Sequence, residues 1–182
     1  MTGERRLSQA ISEGDGISVI VHVASLAEAE EAMRQGAEAL AVSREIPGLR
    51  EVTTLPLLWR GEPNWETVRR AGADASVVRG DDSPDAGIEP VAYVSTEDLL
   101  EAALEQADPE IFLLGLPEAD VDEALDRILD LLPDVPAGKL AIADLPVRTR
   151  EEVEELERAG VDAVLVGAGD VAQLVGDAPP EV

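Results

Sequence analysis

Short apolar runs alternate with stretches rich in Ala and Glu along the whole chain, and glycines punctuate the changes. The pattern is clearest over 139–170. LAIAD is an apolar run, VRTREEVEELERAG is amphipathic, and VDAVLVG is a second run rich in β-branched residues. Thr149 stands where a helix N-cap belongs and Gly160 where a helix stops. Two buried strands joined by one helix form a right-handed βαβ unit, which implies a parallel sheet covered by helices.

The same alternation runs through the rest of the chain. It predicts earlier strands over 17–24, 38–43, 54–60, 74–79, 90–95 and 110–116. Helices are predicted over 26–35, 63–70, 97–106 and 118–132; the last is the longest, with Val121, Leu125, Ile128 and Leu132 on one stripe. Ser25 and Thr96 read as caps, Gly36 and Gly72 as stops, and Pro63 suits a first helical turn. Residues 46–52 read as a weak connector and 80–87 as a loop. Residues 1–16 form a helical lead-in around RRLSQAIS, 170–175 one last turn of helix, and 176–182 a loose tail.

An internal echo organises these elements. RQGAEALAV, RRAGADASVV and ERAGVDAVLV lead into the second, fourth and eighth strands, and EQADPEIFLL leads into the sixth without the glycine. Full helices follow the first, third, fifth and seventh strands, whereas those after the second, fourth and eighth are short. The chain reads as four βαβ quarters. Eight parallel strands in that alternation predict one domain over 1–182, a compact (β/α)8 (TIM) barrel. An open doubly wound sheet is the alternative, but its commoner forms use about five or six strands. Such barrels usually need roughly 200 residues or more; the short connectors account for a smaller one.

Charge changes the picture most. Asp and Glu number 39 against 14 Lys and Arg, a net charge of -25. No nucleic acid or anionic membrane partner is expected of such a surface, and 2% aromatic content leaves little for base stacking. The acidity reads either as a solvated surface or as adaptation to high salt. Added salt is expected to stabilise the fold by screening self-repulsion. A melting temperature that stays flat or falls between low and molar salt would contradict this. Cysteine is absent, which excludes disulfides and thiol chemistry. No signal-like segment and no apolar run near ~20 residues is visible, so a cytoplasmic monomer or homodimer is expected. One histidine and scattered carboxylates give no metal-ligand pattern, and no cofactor is expected.

Barrel chemistry sits at the C-terminal ends of the strands. That position selects His22, Ser43, Arg44, Arg60, Arg79, Tyr93, Ser95, Asp144, Gly167 and Gly169. His22 suits a general base near neutral pH or is a plain rim residue. Arg44, Arg60 and Arg79 suit a clamp on a phosphate or carboxylate, or rim ion pairs with Glu45, Glu62 or Asp81. Gly167-Ala168-Gly169-Asp170 would let backbone amides approach an anion, unless Asp170 is simply a cap. Asp144 is a catalytic acid or an ion-pair partner for Arg60 or Arg148.

The ordered series of segments from Leu7 to Gly169 resembles indole-3-glycerol phosphate synthase. LSQAI resembles the helix before that family's first strand, and PLLWR its third-strand Pro-x-Leu-x-Lys. VAYVSTEDL resembles the fifth-strand Val-Glu-Val-His-Thr-Glu-Glu. IADLPVRT resembles the seventh-strand Ser-Glu-Ser-Gly-Ile-x-Thr, and AGVDAVLVG the lead-in to the eighth strand.

The resemblance implies a (β/α)8 lyase of tryptophan synthesis that closes an indole ring with loss of carbon dioxide and water. In the family, lysines on the first and third strands and glutamates on the first, fifth and seventh carry the acid–base work. Here Arg60 stands at the third-strand lysine, and an arginine is a poor general acid. His22 falls near the first-strand Glu, Ala24 near the first-strand Lys, and Tyr93 at the fifth-strand Glu. Leu114 and Gly115 replace an Asn, Asp144 is a shortened Glu, and Leu145-Pro146 replace Ser-Gly, which removes an amide donor. The family's long loop after the first strand is missing. The reading is a reduced relative that has lost the parent lyase reaction, with Arg60, Asp144 and His22 as the catalytic candidates. Arg44, Arg79, Tyr93, Gly167 and Gly169 are the candidate binders of a small phosphorylated or carboxylated metabolite. An active lyase or a sugar-phosphate isomerase using His22 and Asp144 is one alternative. A non-enzymatic minimal or engineered barrel scaffold is another.

Overall fold

The computed structural model describes residues 7–14, 16–62, 64–80, 82, 87–116, 119–169 and 171–175. Strands β1 (Ser18–His22), β2 (Ala39–Val42), β3 (Leu57–Trp59), β4 (Ala75–Val78), β5 (Glu89–Val94), β6 (Ile111–Gly115), β7 (Leu140–Asp144) and β8 (Ala163–Gly167) close into one barrel. Each pairs in parallel with its sequence neighbour, and β8 returns to β1 with His22 opposite Gly167. The predicted (β/α)8 architecture is therefore the observed one. The strands read as continuous apolar runs because both faces are buried, one by the lumen and one by helices.

The helices are α1 (Leu7–Ser12), α2 (Leu26–Arg34), α3 (Leu49–Val52), α4 (Trp65–Arg70), α5 (Glu97–Gln106), α6 (Val121–Leu131), α7 (Arg150–Ala159) and α8 (Ala172–Val175). None of the described helices is long and apolar enough to cross a membrane. The side chains of Ser25, Thr96 and Thr149 accept the backbone N–H groups of Glu28, Leu99 and Glu152, as their positions predict. Glu152 completes a capping box on α7, and Gly160 ends that helix at φ 108°. Asn64 and Asp120 cap α4 and α6 in the same way. The predicted starts at 63 and 118 lie outside the described residues, as do the lead-in before Leu7, most of the 80–87 loop, Asp170 and the 176–182 tail.

Several predicted elements come out differently. The connector over 46–52 contains helix α3. The strand predicted over 54–60 shrinks to Leu57–Trp59, because Pro56 has no N–H to extend the ladder. The helix predicted to reach Leu132 gives way there to a 3-10 turn over Leu132–Asp134, again at a proline. The short helices fall after β2 and β8, as predicted, while the longest follows β6. α3 and α8 have four residues each, and among the described residues no helix lies between β4 and β5.

Two apolar layers hold the barrel. The outer one packs Val21, Leu40, Leu57, Phe112, Leu114 and Val164 against the helices. The inner one fills the lumen with Ile20, Leu58, Val91, Leu113, Ile142 and Leu165, tapering to Ala39, Ala75 and Ala163. Leu7 and Ile11 of α1 belong to this inner cluster and plug its lower end. The helix is fastened there by Ser8, whose backbone N–H and hydroxyl both donate to the Glu89 carboxylate at the start of β5.

The internal echo has a physical counterpart. Asp74 precedes β4 and accepts the N–H of Leu57 on β3; Asp162 precedes β8 and accepts the N–H of Ala141 on β7. Each also donates its own N–H to the carbonyl of that same neighbour. Asp74 carries one further partner. Arg50 of α3 pairs with its carboxylate, donates through Nε and Nη2 to Gly72 O at 2.9 and 2.6 Å, and through Nη1 to Leu55 O at 2.7 Å. This arginine ties together the segments that flank β3 and β4, whose ladder has only two registered pairs, Leu58–Ala75 and Trp59–Ser76.

Candidate functional site at the barrel mouth

Side chains alternate across a strand, so the lumen residues fix which rim residues face inward. Ile20, Ala41, Leu58, Val77, Val91, Leu113, Ile142 and Leu165 all belong to the inner cluster. Two positions further along each strand come His22, Ser43, Arg60, Arg79, Tyr93, Gly115, Asp144 and Gly167. These form the top layer of the lumen, at the strand C-termini where barrel chemistry resides.

The geometry is organised by one ion pair. Arg60 Nη2 lies 2.7 Å from Asp144 Oδ2. The two residues extend from β3 and β7, four strands apart in a ring of eight, so the pair spans the mouth from side to side. Their side chains keep 28% and 24% exposure, so both are largely shielded from water. Arg60 thus pairs with Asp144, one of the two roles open to that carboxylate, while Glu45 pairs with Arg70 of α4 at 2.7 Å. Beside the pair, His22 Nε2 and Ser43 Oγ are hydrogen-bonded at 2.8 Å. Arg79 stacks on Tyr93, its guanidinium carbon 4.6 Å from the ring centroid. Gly115 leaves room for these groups. A Cβ there would come within 3.2 Å of Asp144 Cβ and 3.6 Å of the Tyr93 ring.

The electrostatics follow from burial first. Burial lowers the His22 pKa, and the positive Arg60 lowers it further, outweighing Glu28 and Asp144, which favours the neutral imidazole. Burial raises the Asp144 pKa, opposed by Arg60, His22 and Arg79. Burial likewise raises Tyr93, with Asp144 adding to it and Arg79 and Arg60 opposing. The mutual influence of these groups shows that His22, Arg60, Arg79, Tyr93 and Asp144 share one electrostatic environment.

Two sequence candidates lie elsewhere. Arg44 follows the inward Ser43 and so turns outward, where Nη2 donates to Ala24 O at 3.2 Å. Gly167 and Gly169 are exposed, and a Cβ on either would meet nothing within 4 Å, so packing does not require glycine there. They line a cleft of about 340 Å³ with Pro146 and Arg148 from the segment after β7, and Val171 beyond β8. Arg148 is exposed beside those glycines. The sequence offered it only as a partner for Asp144, and it gained relevance to the glycine segment only through the fold. Among the described residues no group of His, Cys, Asp and Glu has the arrangement of a metal site.

No family model matches the sequence. Over 86 residues the chain is 30% identical to the indole-3-glycerol phosphate synthase of Alkaliphilus metalliredigens, covering 46% of this chain and 32% of that protein. Over 175 residues it is 25% identical to the indole-3-glycerol phosphate synthase of a Geobacillus species, covering 80% of this chain and 66% of that protein. The chain thus spans about a third of the first of these relatives and less than two thirds of the second. Its backbone is similar to that of thiamine phosphate pyrophosphorylase from Pyrococcus furiosus, with a TM-score of 0.65 over 87% of this chain and 90% of that one, at 14% identity. The protein is a closed (β/α)8 barrel with weak, partial sequence similarity to indole-3-glycerol phosphate synthases.

Proposed function

We propose that this barrel is a reduced relative of indole-3-glycerol phosphate synthase that no longer carries out the lyase reaction and binds a small phosphorylated or carboxylated ligand at its C-terminal rim. The observation that carries the reading is the Arg60–Asp144 pair across the mouth. The resemblance puts a proton-donating lysine at the position of Arg60. A guanidinium keeps its proton across the useful pH range, so it attracts anions but does not act as a general acid. Asp144, the one acid retained at the rim, is engaged by that guanidinium. Two inward cations, Arg60 and Arg79, together with the open cleft beside Gly167, Gly169 and Arg148, supply anion-binding groups without a matching proton donor.

Two measurements test this. Pure protein incubated with the substrate of indole-3-glycerol phosphate synthase is expected to give no indole product; indole-ring formation that disappears in Arg60→Ala would overturn the reading. A thermal-shift screen of phosphate- and carboxylate-bearing metabolites at constant ionic strength is expected to find stabilising ligands. A screen in which none stabilises favours a bare scaffold.

A further inference from the structure

We infer that Asp144 occupies on Arg60 the place of the ligand's own acidic group, so that an incoming small anion displaces it and the freed carboxyl takes up a proton. The inference rests on the reading that the mouth receives an anion. Its basis is geometric. The pair lies across the opening rather than between neighbouring strands, so a ligand seated in the mouth lies against it. Both side chains still keep about a quarter of their surface open to solvent, so another carboxylate or phosphate can reach the guanidinium and exchange with Asp144. No second carboxylate faces Arg60 among the described top-layer residues, so the guanidinium can serve either Asp144 or a ligand.

The groups around Asp144 set the direction of proton movement. Arg60 faces it from β3, His22 from β1, Arg79 from β4 and Tyr93 from β5. Gly115 of β6 and Gly167 of β8 bring no side chain, Ser43 of β2 brings only a hydroxyl, and Glu28 of α2 acts on His22. Once Arg60 turns to a ligand, Asp144 loses the largest effect opposing its burial. Arg79 remains stacked on Tyr93, and the bound anion adds negative charge nearby. The loss of Arg60 and the arrival of negative charge both favour the neutral carboxyl, against the remaining pull of Arg79. Anion binding therefore strengthens as pH falls.

Isothermal titration of the full chain tests this with sulfate, for phosphate-like groups, and benzoate, for carboxylates, at constant ionic strength made up with chloride. At about pH 6, comparing two buffers of different ionisation enthalpy, wild type is expected to take up protons on binding. Asp144→Asn is expected to bind about tenfold more tightly, with the uptake gone, and Arg60→Gln to lose that binding. Binding without proton uptake in wild type, or equal affinity in Asp144→Asn, overturns the inference and leaves the proposed function standing. Uptake that persists in Asp144→Asn assigns the proton to His22 and also overturns it. If neither anion binds wild type or Asp144→Asn, the anion-binding reading falls, and the inference with it.

Discussion

Phe112→Ala is expected to lower the unfolding free energy by about 3–5 kcal/mol. Phe112 is the only phenylalanine and is fully buried on β6, facing the layer between the barrel and its helices. Truncation removes the transfer free energy of the ring and leaves a cavity. Parallel strands held from both sides relax poorly into such a space. Small domains have total stabilities of about 5–15 kcal/mol, so a large fraction of the fold's stability is at stake. Denaturant titration at fixed salt should show a lower midpoint with an unchanged slope. A loss below about 1 kcal/mol would mean that the outer layer is not close-packed at this position.

Arg50→Ala is expected to cost roughly 2–4 kcal/mol, and Arg50→Lys to recover less than half of that. The guanidinium satisfies the Gly72 and Leu55 carbonyls and the Asp74 carboxylate at once. Asp74 keeps only 12% exposure and already accepts the Leu57 N–H, so it loses a charge partner in a half-dry setting. A lysine is a point charge and cannot span two carbonyls and a carboxylate in one plane. Calorimetry on the three proteins decides the matter; a Lys variant as stable as wild type would show that charge alone suffices.

The barrel was legible in the sequence because its physics is local and repetitive. Each strand is a short apolar run, most of them set off by a glycine or turn, and period two then fixes which rim side chains face inward. His22, Arg60, Arg79, Tyr93 and Asp144 were picked out by their place at the strand C-termini, and the strand period then separates them from outward residues such as Arg44. Of the contacts that organise them, the Arg60–Asp144 pair was one of two readings open for Asp144, whereas the His22–Ser43 hydrogen bond and the stacking of Arg79 on Tyr93 were not foreseen, because they join residues far apart in sequence. Arg60 and Asp144 are separated by 84 positions, and His22 and Ser43 by 21. Arg50 stayed hidden because its segment has no apolar period, and its role exists only once Leu55, Gly72 and Asp74 are brought around it. Gly115 stood out only as a departure from the resemblance, since a missing side chain shows its purpose only when Tyr93 and Asp144 stand beside the gap.

The thin pairing between β3 and β4 has a consequence for how this molecule would fail. A closed cylinder presents no free strand border, so long as every ladder holds. Parting at this ladder would bare two short borders, Leu57–Trp59 and Ala75–Val78, both composed almost wholly of apolar residues. Such borders match one another on separate molecules as well as within one. Damage here would therefore surface as self-association before complete unfolding, with the strong acidic charge of the chain as the force holding copies apart.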